Sequence, residues 1–381
     1  MQGNLLWPVK ERFPELKEPV SVDVAIVGGG ITGISSAYYL QEAGYDTAVI
    51  EQDEIGCAAT GASSGILYYG SGTNLAEAIE LYGKDNSNFL WKESRETIAL
   101  IKDMAGKKHI EAGFRNPGAV MVAKTNDEVH KLEKEQKSLK DAGISAELFT
   151  SKEIKNFYLG REFLAGLHFP DCPQIHPAIF SASIAKHFGI KVFENTKFVS
   201  FEEQNDGSIL TKTSNASLKS KKLLFATNLQ PLFGIEKFFY NESSAITSSK
   251  QLTNEQIKKI WPEEKLLWSM EADYDIIYPA ENRLILELFN LKNLKAKIPY
   301  YYPEGFVVDM RWGDSWSKAK DGLPIIDEVK KNIYVAVAMG DQGVVMGYTA
   351  ARKILKLIEG KNDKFLEMTS SKRFIISDAN N

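Results

Sequence analysis

The pattern of apolar and polar positions changes period near the start of the chain. Residues 22–27 (VDVAIV) form an apolar run rich in β-branched side chains, which is typical of a parallel strand buried on both faces. After a group of glycines, residues 32–43 have a helical pattern that ends at Gly44. Residues 46–51 (DTAVIE) then predict a second strand. Strand, glycine turn, helix and strand within about thirty residues predict a βαβ unit.

Helical and strand-like segments alternate along the rest of the chain. The pattern predicts helices over 74–105, 126–143 and 178–188, and strands over 118–125, 191–203 and 221–228. Between 262 and 312 the segments are strand-like and indicate an antiparallel sheet. The last part returns to strand, glycine loop and helix. We therefore predict an α/β fold in which a discontinuous nucleotide-type lobe encloses a second lobe.

Composition and charge narrow the class of protein. The chain has 381 residues, of which 44% are hydrophobic and 25% charged, as in an ordinary globular protein of two or three interlocked lobes. Its net charge is −4 and it has no basic stripe, which argues against a nucleic-acid partner. Cys57 and Cys172 lie far apart and predict reduced thiols in a cytoplasmic protein. No apolar run is long enough to span a membrane.

Hydrolytic and metal chemistry find little support in the sequence. The five histidines (109, 130, 168, 176 and 187) have no metal-ligand spacing, and we expect no metal site. No Gly-x-Ser-x-Gly nucleophile elbow is present, and Ser63–Ser64 lacks a partner histidine.

The glycine-rich turn carries the strongest chemical signal. Gly28, Gly30 and Gly33 fit G-x-G-x-x-G, in which the glycines allow a tight turn, close approach to a pyrophosphate and close helix packing. Glu51 ends the second strand, where its carboxylate can accept hydrogen bonds from ribose hydroxyls and would repel a 2′-phosphate. This combination predicts a dinucleotide site but leaves FAD and NAD open, besides a turn that serves packing alone.

Residues 51–67 (EQDEIGCAATGASSGIL) favour the flavin. A nicotinamide enzyme has no need of a small, hydroxyl-rich loop directly after the second strand. The pyrophosphate and ring system of FAD extend past the first helix, and small residues let amides and hydroxyls reach them.

Several segments resemble one family. GGGITGISSAYYL (28–40) and TGASSGIL (60–67) resemble the two N-terminal flavin motifs of the D-amino acid oxidase-like (DAO) family of FAD oxidoreductases, with most similarity to its glycine oxidase and γ-glutamylputrescine oxidase-type members. FPDCPQIHP, NTKFVSFEE and LLFATN are similar to later family segments, as are RWGDSWSKAKDGLPII and NIYVAVAMGDQGVVMG near the C-terminus. The resemblance covers roughly residues 22–360.

The resemblance implies a division into lobes and a set of cofactor contacts. It implies a Rossmann-like FAD-binding lobe of residues 1–90, 160–230 and 311–381, and an α+β substrate lobe of residues 91–159 and 231–310 on a largely antiparallel sheet. The implied contacts of FAD are Gly28, Gly30, Ile31, Thr32, Gly33, Glu51, Gln52, Thr60, Ser63, Ser64, Gly65, Phe198, Val199, Ala226, Thr227, Gln342, Gly343, Val344, Val345 and Met346.

The sequence departs from the family in places that matter for the substrate. Trp316 stands where glycine oxidase-like members carry an arginine for the substrate carboxylate, and Arg311 is the nearest arginine. Asn228 replaces the glycine of an Ala-Thr-Gly segment, and Asn tolerates positive φ. For Asp341 we expect a backbone role alone. The C-terminal region lacks the cysteine that links FAD covalently in sarcosine oxidase, so the FAD should be non-covalent.

The implied activity is oxidation of a C–N bond in a small amine or amino acid by hydride transfer to flavin N5. The electron acceptor is O2 or an electron carrier. The catalytic residues stay open, with Trp316, Arg311, Lys250 and Tyr278 as candidates. Two alternatives remain at this point: a flavoprotein subunit of an electron-transfer complex without its own turnover, and an NAD-dependent dehydrogenase. The sequence leaves the oligomeric state and the identity of the substrate open.

Overall fold

The structure is a computed structural model that describes residues 7–107, 109–228, 233–270, 275–289, 301 and 307–374. Its strands are β1 Val20–Val27, β2 Thr47–Ile50, β3 Ala119–Ala123, β4 Glu147–Thr150, β5 Ala165–Phe169, β6 Lys191–Phe193, β7 Phe198–Glu203, β8 Ile209–Thr213, β9 Ser217–Phe225, β10 Phe239–Ser249, β11 Leu266–Ser269, β12 Asp275–Ala280, β13 Arg283–Leu288, β14 Val308–Ala319, β15 Ile325–Lys330 and β16 Ile333–Val337. Its helices are Ile31–Glu42, Ala59–Ala62, Leu75–Tyr82, Lys84–Ala105, Asn126–Asp141, Ser151–Ile154, Pro177–His187, Asn254–Ile260, Gly343–Ile358 and Lys364–Thr369, with a 3₁₀ turn at Ile235–Phe238.

The first sheet has eight strands and contains the predicted βαβ unit. Its main path runs β15-β16-β9-β1-β2-β6, and β8 joins β7 to β9 beside this path. The pairs among β16, β9, β1, β2 and β6 are parallel. Strands β1, β2 and β16 of this parallel part are largely buried, as expected for a parallel sheet whose faces are covered. This confirms the predicted Rossmann-like lobe.

The second sheet also has eight strands, in the order β14-β10-β13-β12-β11-β3-β5-β4. Every neighbouring pair is antiparallel except β11 with β3. The prediction of a largely antiparallel second sheet is therefore confirmed. One face of this sheet packs on residues of the helices Ser151–Ile154 and Asn254–Ile260, and the other face looks toward the first lobe.

Two predicted elements are divided in the structure by a residue with positive φ. The helical segment 74–105 is two helices, because Gly83 has φ +81° and ends the first of them. The predicted strand 191–203 is two strands with Asn195 at φ +50° between them. At both positions the chain turns at a residue with positive φ, although the pattern of apolar residues continues across the turn and predicts a single element.

Sheet membership moves two of the predicted lobe boundaries. Strand β5, in the range 160–230 assigned to the FAD lobe, pairs with β3 and β4 of the second sheet. Residues 311–319 continue β14, which pairs with β10 along its length. The predicted boundaries at 160 and 311 are wrong for these strands, since hydrogen bonding to distant strands decides where a segment belongs. We propose that the first lobe resumes after Phe169 and again after Ala319.

Candidate functional site

The glycine turn after β1 is a position where side chains have no room. A Cβ atom on Gly28 would lie 2.4 Å from the carbonyl oxygen of Ala226, and Gly28 has φ +113°. A Cβ atom on Gly33 would lie 1.9 Å from the carbonyl oxygen of Gly28. The helix Ile31–Glu42 therefore packs directly on the turn, and its N-terminus opens toward a cleft. A helix N-terminus of this kind favours an anionic ligand.

Glu51 follows the last residue of β2, beside the glycine turn. Its Oε2 atom accepts a hydrogen bond of 2.7 Å from the Gly29 amide, and its Oε1 atom accepts one of 3.0 Å from the Asp53 amide. Burial raises the pKa of Glu51, whereas these amide hydrogen bonds lower it. A carboxylate has acceptor capacity beyond two hydrogen bonds, so ribose hydroxyls can still be bound.

The loop after β2 brings small residues against both lobes. Thr60 Oγ1 accepts a hydrogen bond of 3.0 Å from the Ile31 amide at the start of the first helix. A Cβ atom on Gly65 would lie 2.0 Å from the carbonyl oxygen of Ile175. Trp312 of β14 donates from Nε1 to the carbonyl oxygen of Ala62, at 3.2 Å. The loop thus joins the glycine turn to the second sheet.

A single continuous cleft, here called the central cleft, runs between the two lobes. Most of the predicted FAD contacts line it. They are Gly28, Gly30, Ile31, Thr32, Glu51, Gln52, Thr60, Ser63, Ser64, Phe198, Ala226, Thr227, Gln342, Gly343 and Val344. These residues come from segments spread over the chain, and the fold brings them to one cleft. Their contact with FAD remains a proposal.

Five predicted contacts do not line the cleft, for different physical reasons. Gly33 and Gly65 are packed against carbonyl oxygens behind it. Val199 is 61% exposed on the outer surface. Val345 and Met346 belong to the first turn of the helix Gly343–Ile358 and are fully buried in the core. The alternation along β7 places Phe198 rather than Val199 at the cleft.

Asp341 is more than a backbone contributor, contrary to our expectation. Its side chain is 4% exposed and forms an ion pair with Lys318, whose Nζ lies 2.8 Å from Oδ2. Trp316 donates from Nε1 to Oδ1 of Asp341, at 2.9 Å. Glu242 lies 3.8 Å from Lys318 Nζ. Trp316 lines the cleft and packs edge-on against Phe289, so this tryptophan is a wall whose N–H is already used.

Asn228 forms the turn that follows β9. Its φ is +53°, as expected for a residue that replaces glycine there. Its Oδ1 accepts hydrogen bonds from the amide and the hydroxyl of Ser317, at 3.1 and 2.9 Å. Ser317 Oγ in turn accepts from the amide of Ala338, at 3.1 Å. These contacts tie the ends of β9 and β16 to β14.

The structure does not bring the other catalytic candidates to the cleft. Arg311 is exposed, and the alternation of β14 turns it away from the face that carries Trp312, Asp314 and Trp316. Lys250 is exposed at the end of β10. Tyr278 is buried in the core and does not line the cleft. Of the four candidates, Trp316 alone lies at the cleft.

One transverse row of side chains forms the substrate-lobe wall. The register places Met121, Trp268, Ile276, Glu287, Ile246 and Trp312 opposite one another on six neighbouring strands. We call this set the cleft row. Its first four members line the cleft, and Glu287 is its one ionisable member. Sequence analysis missed this glutamate because its partners lie far away along the chain.

Glu287 has an acidic neighbour in the cleft. Asp314 on β14 also lines the cleft; Glu287 and Asp314 are 3% and 8% exposed. Burial, and secondly the nearby Asp314, raises the pKa of Glu287 to about 8. Burial raises the pKa of Asp314 to about 7. Among the described residues, neither carboxylate forms an ion pair with a lysine or arginine.

The chain is similar over most of its length to one family of known proteins. A family model described as FAD dependent oxidoreductase (DAO) matches residues 23–357. The chain belongs to this family. γ-Glutamylputrescine oxidoreductase of Escherichia coli is 24% identical over 378 residues, covering 93% of this chain and 87% of that protein. Glycine oxidase of Bacillus licheniformis is 22% identical over 369 residues, covering 89% and 93%. The DAO resemblance and FAD as cofactor are thereby confirmed.

Solved structures share the DAO fold with this chain. Glycine oxidase from Geobacillus kaustophilus has a TM-score of 0.75 at 17% identity, covering 92% of this chain and 98% of that one. L-Proline dehydrogenase from P. horikoshii has a TM-score of 0.73 at 18% identity, covering 94% and 99%. The predicted two-lobed fold is confirmed. An NAD-dependent dehydrogenase, the second of our two alternatives, finds no support here.

The residues of the glycine turn fit FAD on the structure's own terms. Gly28 and Gly33 remove the Cβ atoms that would fill the turn, and the amides of the first helix face the cleft. Thr227 Oγ1 is buried at the cleft and has no hydrogen-bond partner among the described residues. A phosphate oxygen would satisfy such a hydroxyl, since unpaired buried polar atoms are costly.

Among the described helices, none combines the length and the apolar character needed to cross a bilayer.

Proposed function

We propose that this DAO-family protein is an FAD-dependent enzyme that oxidises a C–N bond of a small amine or amino acid. The observation that carries the proposal is the continuity of the central cleft. It leads from the glycine turn, past the small-residue loop, to a wall with Trp268, Phe289 and Trp316. Relatives over most of the chain are named for an amine or an amino acid, namely γ-glutamylputrescine and glycine.

The residues would divide the work between the two lobes. When bound, FAD supplies the acceptor for a hydride from the substrate carbon. Gly28, Thr32 and Thr227 would hold its phosphates, and Glu51 its ribose. Amides at the start of the helix Gly343–Ile358 line the cleft, where a helix N-terminus stabilises negative charge. Aromatic side chains of the second sheet would exclude water from the substrate.

Further parts of the proposal concern binding mode and surroundings. We propose that FAD is held non-covalently, since neither Cys57 nor Cys172 lines the cleft. We place the enzyme in the cytoplasm, with O2 or an electron carrier as its acceptor.

The test is the visible spectrum of the purified protein without oxygen, before and after addition of amines and amino acids. We expect flavin bands that bleach with at least one of these compounds. Absence of flavin bands after reconstitution with FAD would overturn the cofactor assignment for this chain. Flavin bands that no amine or amino acid bleaches would overturn the proposed reaction and favour a non-turnover flavoprotein subunit.

A further inference from the structure

The second sheet carries two carboxylates into the central cleft, at the point where the loop after β2 meets the sheet. Glu287 hydrogen-bonds to Ser64 of that loop and to Ser244 of β10. Trp312, two positions before Asp314 on β14, donates to the carbonyl oxygen of Ala62. The carboxylates therefore stand at the substrate-lobe end of the cleft, on the same sheet face as Trp312.

The sheet register places Glu287 and Asp314 on one face of the sheet, on the two strands that flank β10. Ser244 lies directly opposite Asp314 in the β10–β14 pair, and side chains opposite each other share one face at a Cβ separation of about 5 Å. The hydroxyl of the same serine donates to Glu287 Oε1, at 2.8 Å. One serine thus contacts one carboxylate and stands opposite the other. The arrangement is fixed by backbone pairing and does not depend on flexible loops.

The pair retains hydrogen-bonding capacity toward the cleft. Glu287 accepts from Ser244 and Ser64, and Asp314 Oδ1 accepts from the Ser315 amide at 2.7 Å. An ionised carboxylate offers about four acceptor positions. Among the described residues no lysine or arginine pairs with either carboxylate, and Lys318 pairs with Asp341 instead. A buried pair of like charges is costly unless a cation is supplied.

The surrounding wall suits a cation on an apolar stem. Trp268 and Ile276 precede Glu287 in the cleft row, and Tyr68 meets Trp268 edge-on with ring centroids 5.2 Å apart. Aromatic faces attract ammonium groups and exclude water from them. The hydroxyl of Tyr68 is buried and has no hydrogen-bond partner among the described residues. Tyr68 also lines the cleft and therefore offers an unpaired hydroxyl to a ligand there.

We infer that Glu287 and Asp314 bind the protonated nitrogen of the substrate, and that the substrate is an amine without a carboxylate beside its reacting carbon. A substrate carboxylate placed next to this pair would be repelled, and on the described wall of the cleft it would find no arginine and one lysine, Lys131. The inference rests on the proposed function and narrows its substrate class from amines and amino acids to amines.

The experiment compares three matched ligands on the FAD-loaded protein by calorimetry without oxygen. The ligands are butylamine, norvaline (butylamine with a carboxylate on its amine carbon) and pentanoate (norvaline without the amine). At about pH 8.5 the butylammonium ion is charged and both carboxylates are largely ionised. We expect butylamine to bind at least about tenfold more tightly than norvaline, and pentanoate to bind most weakly. Norvaline or pentanoate binding as tightly as butylamine would overturn the inference.

Variants assign the effect to the two carboxylates. Glu287→Gln and Asp314→Asn each keep the side-chain shape, and each should weaken butylamine binding about 10- to 100-fold, as expected for one charge-assisted hydrogen bond. Glu255→Gln, at an exposed position on the helix Asn254–Ile260, is the matched control and should not change the affinity. Equal butylamine affinity in all three variants would contradict the role of the pair.

Two additional readouts keep the conclusions separable. The FAD content and melting temperature of each variant show whether it is folded. The comparison of the three ligands is made on the wild-type protein and does not depend on any variant. Bleaching of the flavin bands reports the proposed function independently of affinity. Tight, Glu287-dependent amine binding without bleaching would support the inference and contradict the proposed reaction. Bleaching by norvaline in preference to butylamine would do the reverse.

Discussion

At the glycine end of the central cleft (Gly28, Gly30 and Gly33) the wall is backbone, whereas at the carboxylate end (Glu287 and Asp314) it is side chain. The first end works because Cβ atoms are missing and amides are exposed. The second presents carboxylate and aromatic side chains that the register of a mixed sheet brings to one face. The comparison teaches that the glycine end has no room for an added atom, whereas the character of the carboxylate end depends on which side chains its strands carry.

The largest effect should come from adding one methyl group at the glycine end. Gly28→Ala would place a Cβ atom 2.4 Å from the Ala226 carbonyl oxygen at a positive φ. We expect loss of bound FAD and a fall of about 3 kcal/mol or more in the free energy of unfolding. Gly44→Ala is the control, because Gly44 also has positive φ but open space around it. It should cost about 1–2 kcal/mol and retain FAD. Retention of FAD by both variants would contradict the proposed role of the glycine turn in binding FAD.

The next effect tests the ion pair between the two ends. Asp341→Asn would leave Lys318 without its close partner and weaken the hydrogen bond from Trp316. We expect a loss of about 3 kcal/mol in chemical denaturation, because a charge of low exposure is left uncompensated. The surface pair Lys191–Asp46 gives the control, and Asp46→Asn should cost about 1 kcal/mol or less. Equal costs would show that burial gives the inner pair no extra weight.

The carboxylate end should make stability depend on pH. The pKa of Glu287 is about 8 in the folded protein, whereas an unfolded glutamate titrates near about 4.3. Between these values the folded state holds a proton that the unfolded state has lost. Stability therefore falls as pH rises through this window, by an amount on the order of a few kcal/mol.

Glu287→Gln removes this titrating group and should flatten the decline in thermal or chemical unfolding measured from pH 4 to 8. The exposed Glu255→Gln variant should keep the slope of the unchanged protein. A Glu287→Gln protein with an undiminished slope would place the pH dependence elsewhere.

The smallest effect concerns the turn at Asn228. Asn228→Gly keeps access to positive φ but loses the hydrogen bonds to Ser317, which should cost about 1 kcal/mol. Asn228→Ala loses the same bonds and adds strain at φ +53°, so it should cost about 1 kcal/mol more. Equal unfolding free energies for the two variants would show that the turn relaxes without strain.

Local patterns made the glycine end predictable. Gly28, Gly33 and Glu51 lie within one βαβ unit, so strand, turn and helix signals all bear on the same few residues. Asn228 could be interpreted for a similar reason, since one residue must supply the positive φ of one turn. Interactions between residues that are close in the chain can be predicted from local sequence patterns.

No local sequence pattern indicated the carboxylate end. In the sequence Glu287 is an ordinary strand residue. Only the strand pairing shows that it lies in one row with Ile276, Trp268 and Met121. Strand β5 was assigned to the wrong lobe because its pairing with β3 crosses a long stretch of chain. Val199 was proposed beside Phe198 because which of two neighbours faces inward depends on the pairing of β7.

The cleft row also bears on how such an enzyme can diverge. Each of its members is carried by a different strand, and the backbone hydrogen bonds that hold the strands do not depend on the side chain. In the proposed site, Met121, Ile276 or Glu287 can therefore be exchanged one at a time without breaking the hydrogen bonds of the sheet or altering the glycine turn. The side chains that can change and the glycines that cannot therefore lie on separate walls of the same cleft.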